Sequence, residues 1–190
     1  MSTVKKPTVY IMIGLPASGK STYIKEHLGN LFCGSADDVR GELFGDSGLQ
    51  YTDAFVRERG YNPETLSEPE KEFICNQAVW AEVYRRIDAA LARGEDVVID
   101  GINVTGKMRR YPLDHIGDRA RFIGVWIHTD LDVCLKRSLM RSRFVGEDVI
   151  RRHAAAFEEP QLNEGFDAIE IRDQNGGLLE RRVRPDQNEE

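Results

Sequence analysis

Short apolar runs alternate along the chain with longer stretches in which apolar and charged residues recur at helical spacing, the pattern of βα units that build a parallel sheet. Residues 9–13 form the first apolar run, and a glycine loop and the helix-compatible STYIKEHL follow it. Residues 30–33 read as a short second strand leading into DDVRGELF, a helical turn or two. Residues 45–66 carry Gly, Pro and Asn punctuation with no sustained period, which predicts an irregular and functional loop. A long helix is expected over 68–93, because Ser67 and Glu70 make a capping-box signature and Gly94 is a C-terminal stop. Its apolar positions Phe73, Ile74, Ala78, Val83, Ile87 and Leu91 fall near one face.

Further strands are expected at 96–99, 121–127 and 168–171, with a crossover helix over 105–116 between the first two. Asp130 caps a helix over 131–141, and 147–157 continues helically. The pattern therefore predicts an α/β fold, a parallel five-stranded sheet flanked by helices. One domain over 1–190 is expected, with its core at about 8–172 and a C-terminal tail over 173–190, the last residues RRVRPDQNEE being solvated.

Composition locates the charge. Of the net −6, all comes from 158–190, where ten acids face four arginines, leaving 22 acids and 22 bases in the first 157 residues. Residues 131–152 carry six bases against three acids, so a local basic patch is compatible with an acidic protein. Three scattered cysteines with no C-x-x-C argue against a disulfide framework or a zinc site. No apolar stretch approaches the roughly 20 residues that span a bilayer. The N-terminus lacks a signal-peptide core, so a cytoplasmic location and no membrane partner are expected.

The chemistry starts at GLPASGKS, which matches G-x-x-x-x-G-K-[ST] between a strand and a helix. Gly14 and Gly19 let the backbone curl its N–H groups toward a β-phosphate. Lys20 brings a charge to the β/γ oxygens, Ser21 offers a hydroxyl to Mg²⁺, and the helix start adds a positive field. Gly14, Leu15, Pro16, Ala17, Ser18, Gly19, Lys20, Ser21 and Thr22 are thus candidates to bind ATP or another NTP.

Phosphoryl transfer needs an acceptor base and charge neutralisation. In SADDVR, Asp37 and Arg40 share a helical face, so the carboxylate can accept a hydroxyl proton while the guanidinium holds an anionic group of the acceptor. The plainer alternative is a capping Asp and a solvated Arg. Asp100 ends an apolar strand with Asn103 three residues on, placing a carboxylate near Mg²⁺ or simply making an Asp-Gly turn. Arg137 and Arg141 lie four apart in LKRSLMRSR, as a lid over the triphosphate or as a solvated basic face. His128, at a strand end, is the one histidine in a suggestive place; Asp130 and Asp132 imitate the D-x-D of aspartyl phosphatases, but the chain is too short to add that fold.

These motifs resemble the 5′-kinase domain of the polynucleotide kinase family, found in bacteriophage enzymes and in animal kinase-phosphatases. GLPASGKST is similar to the family's G-x-P-G-x-G-K-S-T loop with Ala17 at a common glycine position, and SADDVR to N-R-D-x-x-R with Ala36 in place of an arginine. VVIDGIN, LKRSLMR and FEEPQLNEGFDAI are similar to its D-x-x-N strand end, its lid helix and its closing segment, from residue 9 to about 171. The resemblance implies a P-loop kinase fold with an arginine-bearing lid, and transfer of the γ-phosphate of ATP, with Mg²⁺, to the 5′-hydroxyl of DNA or RNA in nucleic acid repair. It implies Asp37 as general base, Arg40 as holder of the acceptor's 3′-phosphate, Asp100 and Asn103 at the substrate, and Lys20, Arg137 and Arg141 as charge neutralisers. It also implies a channel for the acceptor, which Tyr51, Phe55, Arg57, Arg59 and Tyr61 could line. With no phosphatase segment in the chain, a stand-alone kinase, or one working with a separate ligase or phosphatase, is expected. The alternatives are a small-molecule kinase acting on a sugar, antibiotic or nucleoside, and a nucleotide-dependent ATPase or binding module.

Overall fold

The computed structural model describes residues 6–46, 48–140 and 145–185. The chain divides into two compact units, the first formed by 1–33 and 90–190, the second by 34–89.

In the first unit, β1 (Thr8–Ile13) leads through the glycine loop into α1 (Lys20–His27), and the chain passes out along β2 (Phe32–Ser35). The second unit holds α2 (Ala36–Phe44), α3 (Asp53–Glu58) and most of α4 (Glu68–Ala92). The chain then returns through β3 (Val97–Asp100), α5 (Gly106–Ile116), β4 (Arg121–Ile127), α6 (Leu131–Leu139), α7 (Glu147–Ala155), β5 (Ala168–Arg172) and β6 (Leu178–Val183). The strands make one sheet in the order β2-β3-β1-β4-β5-β6. β1 pairs in parallel with β3 and β4, and β4 with β5. Val9, Ile11, Met12 and Ile13 have no exposed surface, as strands covered on both faces require. One face of the sheet, with Met12, Val98, Val125, Ile127 and Ala168, packs on Tyr23 and Ile24 of α1 and on Leu28 just after it.

The predicted α/β fold is present, but the sheet has six strands rather than five. β6 pairs antiparallel with β5 where a solvated tail was expected. Its residues LLERRV are exposed or half-buried, so backbone pairing holds a strand that carries no apolar alternation to announce it. Three acids of this region pair with its arginines: Glu170 with Arg172, and Glu180 and Glu159 with Arg182. The last five residues of the expected tail lie outside the described residues.

Residues 45–66 are not the irregular loop expected throughout. Thr52 accepts from Phe55 N at 3.2 Å and starts α3, and Pro63–Thr65 make one tight helical turn. Phe55, Val56 and Cys75 form a small core that Phe44, Tyr51, Leu66 and Ala78 surround. Six helical residues are too few to display a period, so only the Gly, Pro and Asn punctuation shows in the sequence there. In the same unit Glu70 accepts from both the N–H and the hydroxyl of Ser67 at 2.8 and 2.7 Å, and Arg86 of α4 reaches Glu42 of α2 at 2.9 Å. Phe73, expected on the buried face of α4, is exposed. In the first unit, α6 ends at Leu139 rather than 141, and Asp130 stands at its N-cap without a capping bond from its carboxylate.

Candidate functional site

β1 delivers its last carbonyl to a loop that turns through three left-handed residues, Gly14, Ala17 and Gly19, at φ 147, 62 and 113. Successive turns of this kind gather backbone N–H groups into a concavity suited to an anion. A side chain at Gly14 would place its Cβ 2.9 Å from Ile127 O, so close packing as well as the turn demands glycine there. α1 begins at Lys20 and directs the positive end of its dipole into the loop.

Lys20 is 8% exposed and donates to Gly14 O and Leu15 O at 2.9 and 2.8 Å, so its ammonium sits at the mouth of the turn. From the opposite side Thr129 Oγ and an Arg137 guanidinium nitrogen both donate to Ser18 O, at 2.8 and 3.2 Å. One clamp comes from the first residue of α1, the other from Thr129 and Arg137 before and within α6. Beneath it Cys134 is buried, and desolvation pushes its thiol up, so it packs as a neutral core residue.

A cavity of about 550 Å³ opens beside the loop, a volume within the range of nucleotide-sized sites. Ala17, Ser18, Gly19, Lys20, Ser21, Thr22 and Arg137 line it. Gly14, Leu15 and Pro16 are not among its lining residues. Arg141 lies outside the described residues.

The rest of the cavity wall was not anticipated: Tyr23, Glu26, Ile127, Met140, and the turn Gln174, Asn175, Gly176 between β5 and β6. Asp173 accepts from Asn175 N and Gly177 N at 2.8 and 2.9 Å and holds that turn, while Arg172 donates to Gly176 O and lies 5.1 Å from the Tyr23 ring centre. The signal was in the sequence. DQNGG is a turn signature directly after a strand, at the carboxyl edge of the sheet where open α/β folds bind ligands.

The register Ile11 to Ile99 brings Asp100 to the same sheet edge as the loop. Asn103, at φ 44 and 8% exposed, spends its amide on Met12 O at 2.8 Å, so it supports the strand that enters the loop. Among the described residues no group of three or more His, Cys, Asp or Glu side chains forms a metal cluster. A Mg²⁺ ion here would fit the mode in which phosphate oxygens and waters supply most ligands and one hydroxyl, Ser21, completes the set. His128 stacks on Trp126 with ring centres 5.0 Å apart.

In the second unit, Ser35 accepts from Asp38 N and caps α2, so Asp37 is not the capping residue. Arg40 donates to Asp37 Oδ1 at 3.1 Å and to Asn76 Oδ1 at 2.9 Å, with its side chain 11% exposed and that of Asp37 49% exposed. Of the five residues suggested as a channel wall, Phe55 is buried in the core and Arg59 lies over its ring, while Arg57 is 3.9 Å from Glu64. Tyr51 packs against that core beneath Lys71, and Tyr61 alone of the five is an exposed aromatic.

FEEPQLNEGFDAI proves to be a brace of the first unit. Phe157 packs on Trp126, Glu158 accepts from Gly106 N, Glu164 binds Arg109, Phe166 is fully buried, and Asp167 accepts from Phe122 N.

No curated protein matches the chain by sequence. Among solved structures, a chain of the Pnkp1/Rnl/Hen1 RNA repair complex has the same fold at TM-score 0.60 and 17% identity, over 82% of this chain and 45% of that one. This chain thus spans less than half the length of that relative. A chain of the PezAT chromosomal toxin-antitoxin system of Streptococcus pneumoniae aligns at TM-score 0.60 and 14% identity, over 93% and 71%. A candidate kinase from Chloroflexus aurantiacus aligns at TM-score 0.63 and 15% identity, over 98% and 91%. Residues 9–160, well over half of the chain and including the whole glycine loop, match the protein-family model described as an AAA domain, so the chain belongs to that family, with an α/β fold that resembles that of P-loop kinases.

Proposed function

We propose that the protein is an ATP-dependent phosphotransferase acting on the 5′-hydroxyl ends of nucleic acid. The observation that carries the donor half is the convergence of Lys20 and Arg137 on carbonyls of one glycine loop beside a nucleotide-sized cavity. Both cations can neutralise charge on the γ-phosphoryl group, joined by Arg141, and bound Mg²⁺ at Ser21 would polarise the β and γ oxygens. The acceptor oxygen attacks the γ-phosphorus, the bond to the β-phosphate oxygen breaks, and ADP leaves. Asp37 takes the hydroxyl proton. Arg40 orients that carboxylate through its 3.1 Å bond and holds the acceptor's 3′-phosphate, with Asp100 serving the substrate side.

The Asp37–Arg40 pair and the fold shared with a chain of an RNA repair complex support a polynucleotide acceptor. The buried Phe55 and the Glu64 partner of Arg57 favour a second reading, a small-molecule kinase, because they remove two members of the stacking wall that single strands use.

Incubation with γ-labelled ATP and a panel of 5′-hydroxyl oligonucleotides, sugars and nucleosides separates the two. Label on oligonucleotides, lowered roughly 10²-fold or more by Lys20→Ala, supports the proposal. Label confined to a sugar or nucleoside overturns the polynucleotide acceptor. Oligonucleotide binding should also weaken steeply with salt, as displacement of counterions from phosphates requires.

A further inference from the structure

We infer that Arg109 and Glu164, outside the cavity lining, are positioning residues that set the entry of the phosphate loop. Arg109 is 1% exposed, an extreme burial for an arginine, and four of its five N–H donors are engaged. Nε and Nη2 bind the two Glu164 carboxylate oxygens at 2.7 and 2.8 Å, a fork that lysine cannot form. Both hydrogens of Nη1 go to backbone, to Asn103 O at 3.0 Å and Glu158 O at 2.9 Å.

From Asn103 the constraint reaches the loop in two strokes. The Asn103 amide donates to Met12 O at 2.8 Å, and the neighbouring Ile102 carbonyl accepts from Gly14 N at 2.9 Å. These bonds hold the two residues that flank Ile13, the point where β1 becomes the loop. The left-handed backbone of Asn103, at φ 44, is what lets its amide and the Ile102 carbonyl serve the same strand end, and Arg109 holds that conformation by its carbonyl.

The closing segment secures the arginine in turn. Glu164 also accepts from Gln161 N at 2.8 Å, Glu158 N donates to Val104 O at 2.8 Å, and the Glu158 carboxylate accepts from Gly106 N at 2.6 Å at the start of α5. A Cβ on Gly106 would stand 3.0 Å from that carboxylate. A purely stabilising ion pair has no need to act through the backbone of residue 103; here Arg109 holds the Asn103 carbonyl, and residues 102 and 103 bond the end of β1 and the first residue of the loop.

The inference rests on reading that loop as a phosphate cradle, and the test separates the two. Amide hydrogen exchange is measured by ¹⁵N NMR on wild type, Arg109→Met and Glu164→Gln, with Ile11 as the reference for the same strand, together with affinity for a fluorescent ATP analogue. Glu164→Gln keeps the side chain's shape and serves if Arg109→Met does not fold. Exchange at Gly14 about 10-fold faster than at Ile11 changes, with nucleotide affinity and KM for ATP weakened by about 10- to 10²-fold and the acceptor KM unmoved, is the expected result. Exchange at Gly14 that merely follows Ile11, with affinity unchanged, overturns the inference. A wild-type chain that bound no nucleotide while Gly14 exchange still responded would sustain the positioning role and overturn the proposed function.

Discussion

Alanine at Gly14 and alanine at Gly19 should have different consequences, although both replace a glycine of the same loop. Each residue has positive φ, so each substitution carries backbone strain of about 1–3 kcal/mol. At Gly19 little is added, because the nearest atoms to a Cβ are Gln174 O at 3.4 Å and Arg137 Nη1 at 3.7 Å. At Gly14 the Cβ would meet Ile127 O and Ser18 Oγ, each at 2.9 Å. The serine can rotate, but the Ile127 carbonyl belongs to β4 and cannot yield without the sheet. Relief therefore requires the loop entry to move, adding about 1–3 kcal/mol of overpacking and about 1 kcal/mol for the bond from Gly14 N to Ile102 O. Gly14→Ala should thus be less stable than Gly19→Ala by about 2–4 kcal/mol, a Tm difference on the order of 5–15 °C for a chain of this size. Thermal and urea melts followed by circular dichroism measure it. A fluorescent ATP analogue should show affinity lost in both variants, since Gly19 lines the cavity. Equal melting of the two variants would refute the steric reasoning.

Ala17→Gly should stabilise the protein by up to about 1.5 kcal/mol and preserve nucleotide binding. It removes left-handed strain of about 1–2 kcal/mol at φ 62 and returns about 0.5–1 as backbone entropy, which a urea midpoint resolves. Asp37→Asn should lower kcat of phosphoryl transfer by roughly 10² while nucleotide affinity stays within about twofold, measured by label transfer and equilibrium binding. His153 has its pKa held down by burial, then by the charges of Arg152 and Lys20. The folded state therefore prefers the neutral ring, so stability is complete above the unfolded value of about 6.5 and falls as pH drops through it toward the lower folded value. His153→Gln should flatten that decline in urea midpoints taken between about pH 7.5 and 5.

The loop was legible because its chemistry and its local structure coincide: Gly14, Gly19, Lys20 and Ser21 are near neighbours in the chain, and an apolar strand before a helix is their only structural requirement. β4 and the start of α4 were equally plain, one a continuous apolar run and the other a Ser67–Glu70 signature of which the structure shows the Glu70 half, its carboxylate accepting from Ser67 N. α3 and β6 were not, since one is shorter than two helical turns and the other is carried by edge pairing with most of its side chains in solvent. Phe55 and Arg57 illustrate a further loss. Composition marks an aromatic beside arginines as a stacking surface, and only packing shows that the ring is core and that Glu64 faces the charge.

By itself the order of residues along the chain determined what depends on short spans: the glycine turn, the helix that begins at Lys20, and the alternation that makes the sheet mostly parallel. Tertiary structure alone decided the contacts that join distant positions. It bonded Asn103 to Met12 O, seated Arg109 on Glu164, and brought the Gln174–Gly176 turn to the loop at residues 17–22. The physical reason is that a turn or a helix start is encoded by neighbouring dihedral preferences. A buried guanidinium, or a cavity wall, exists only once folding has excluded water and offered partners more than fifty residues away.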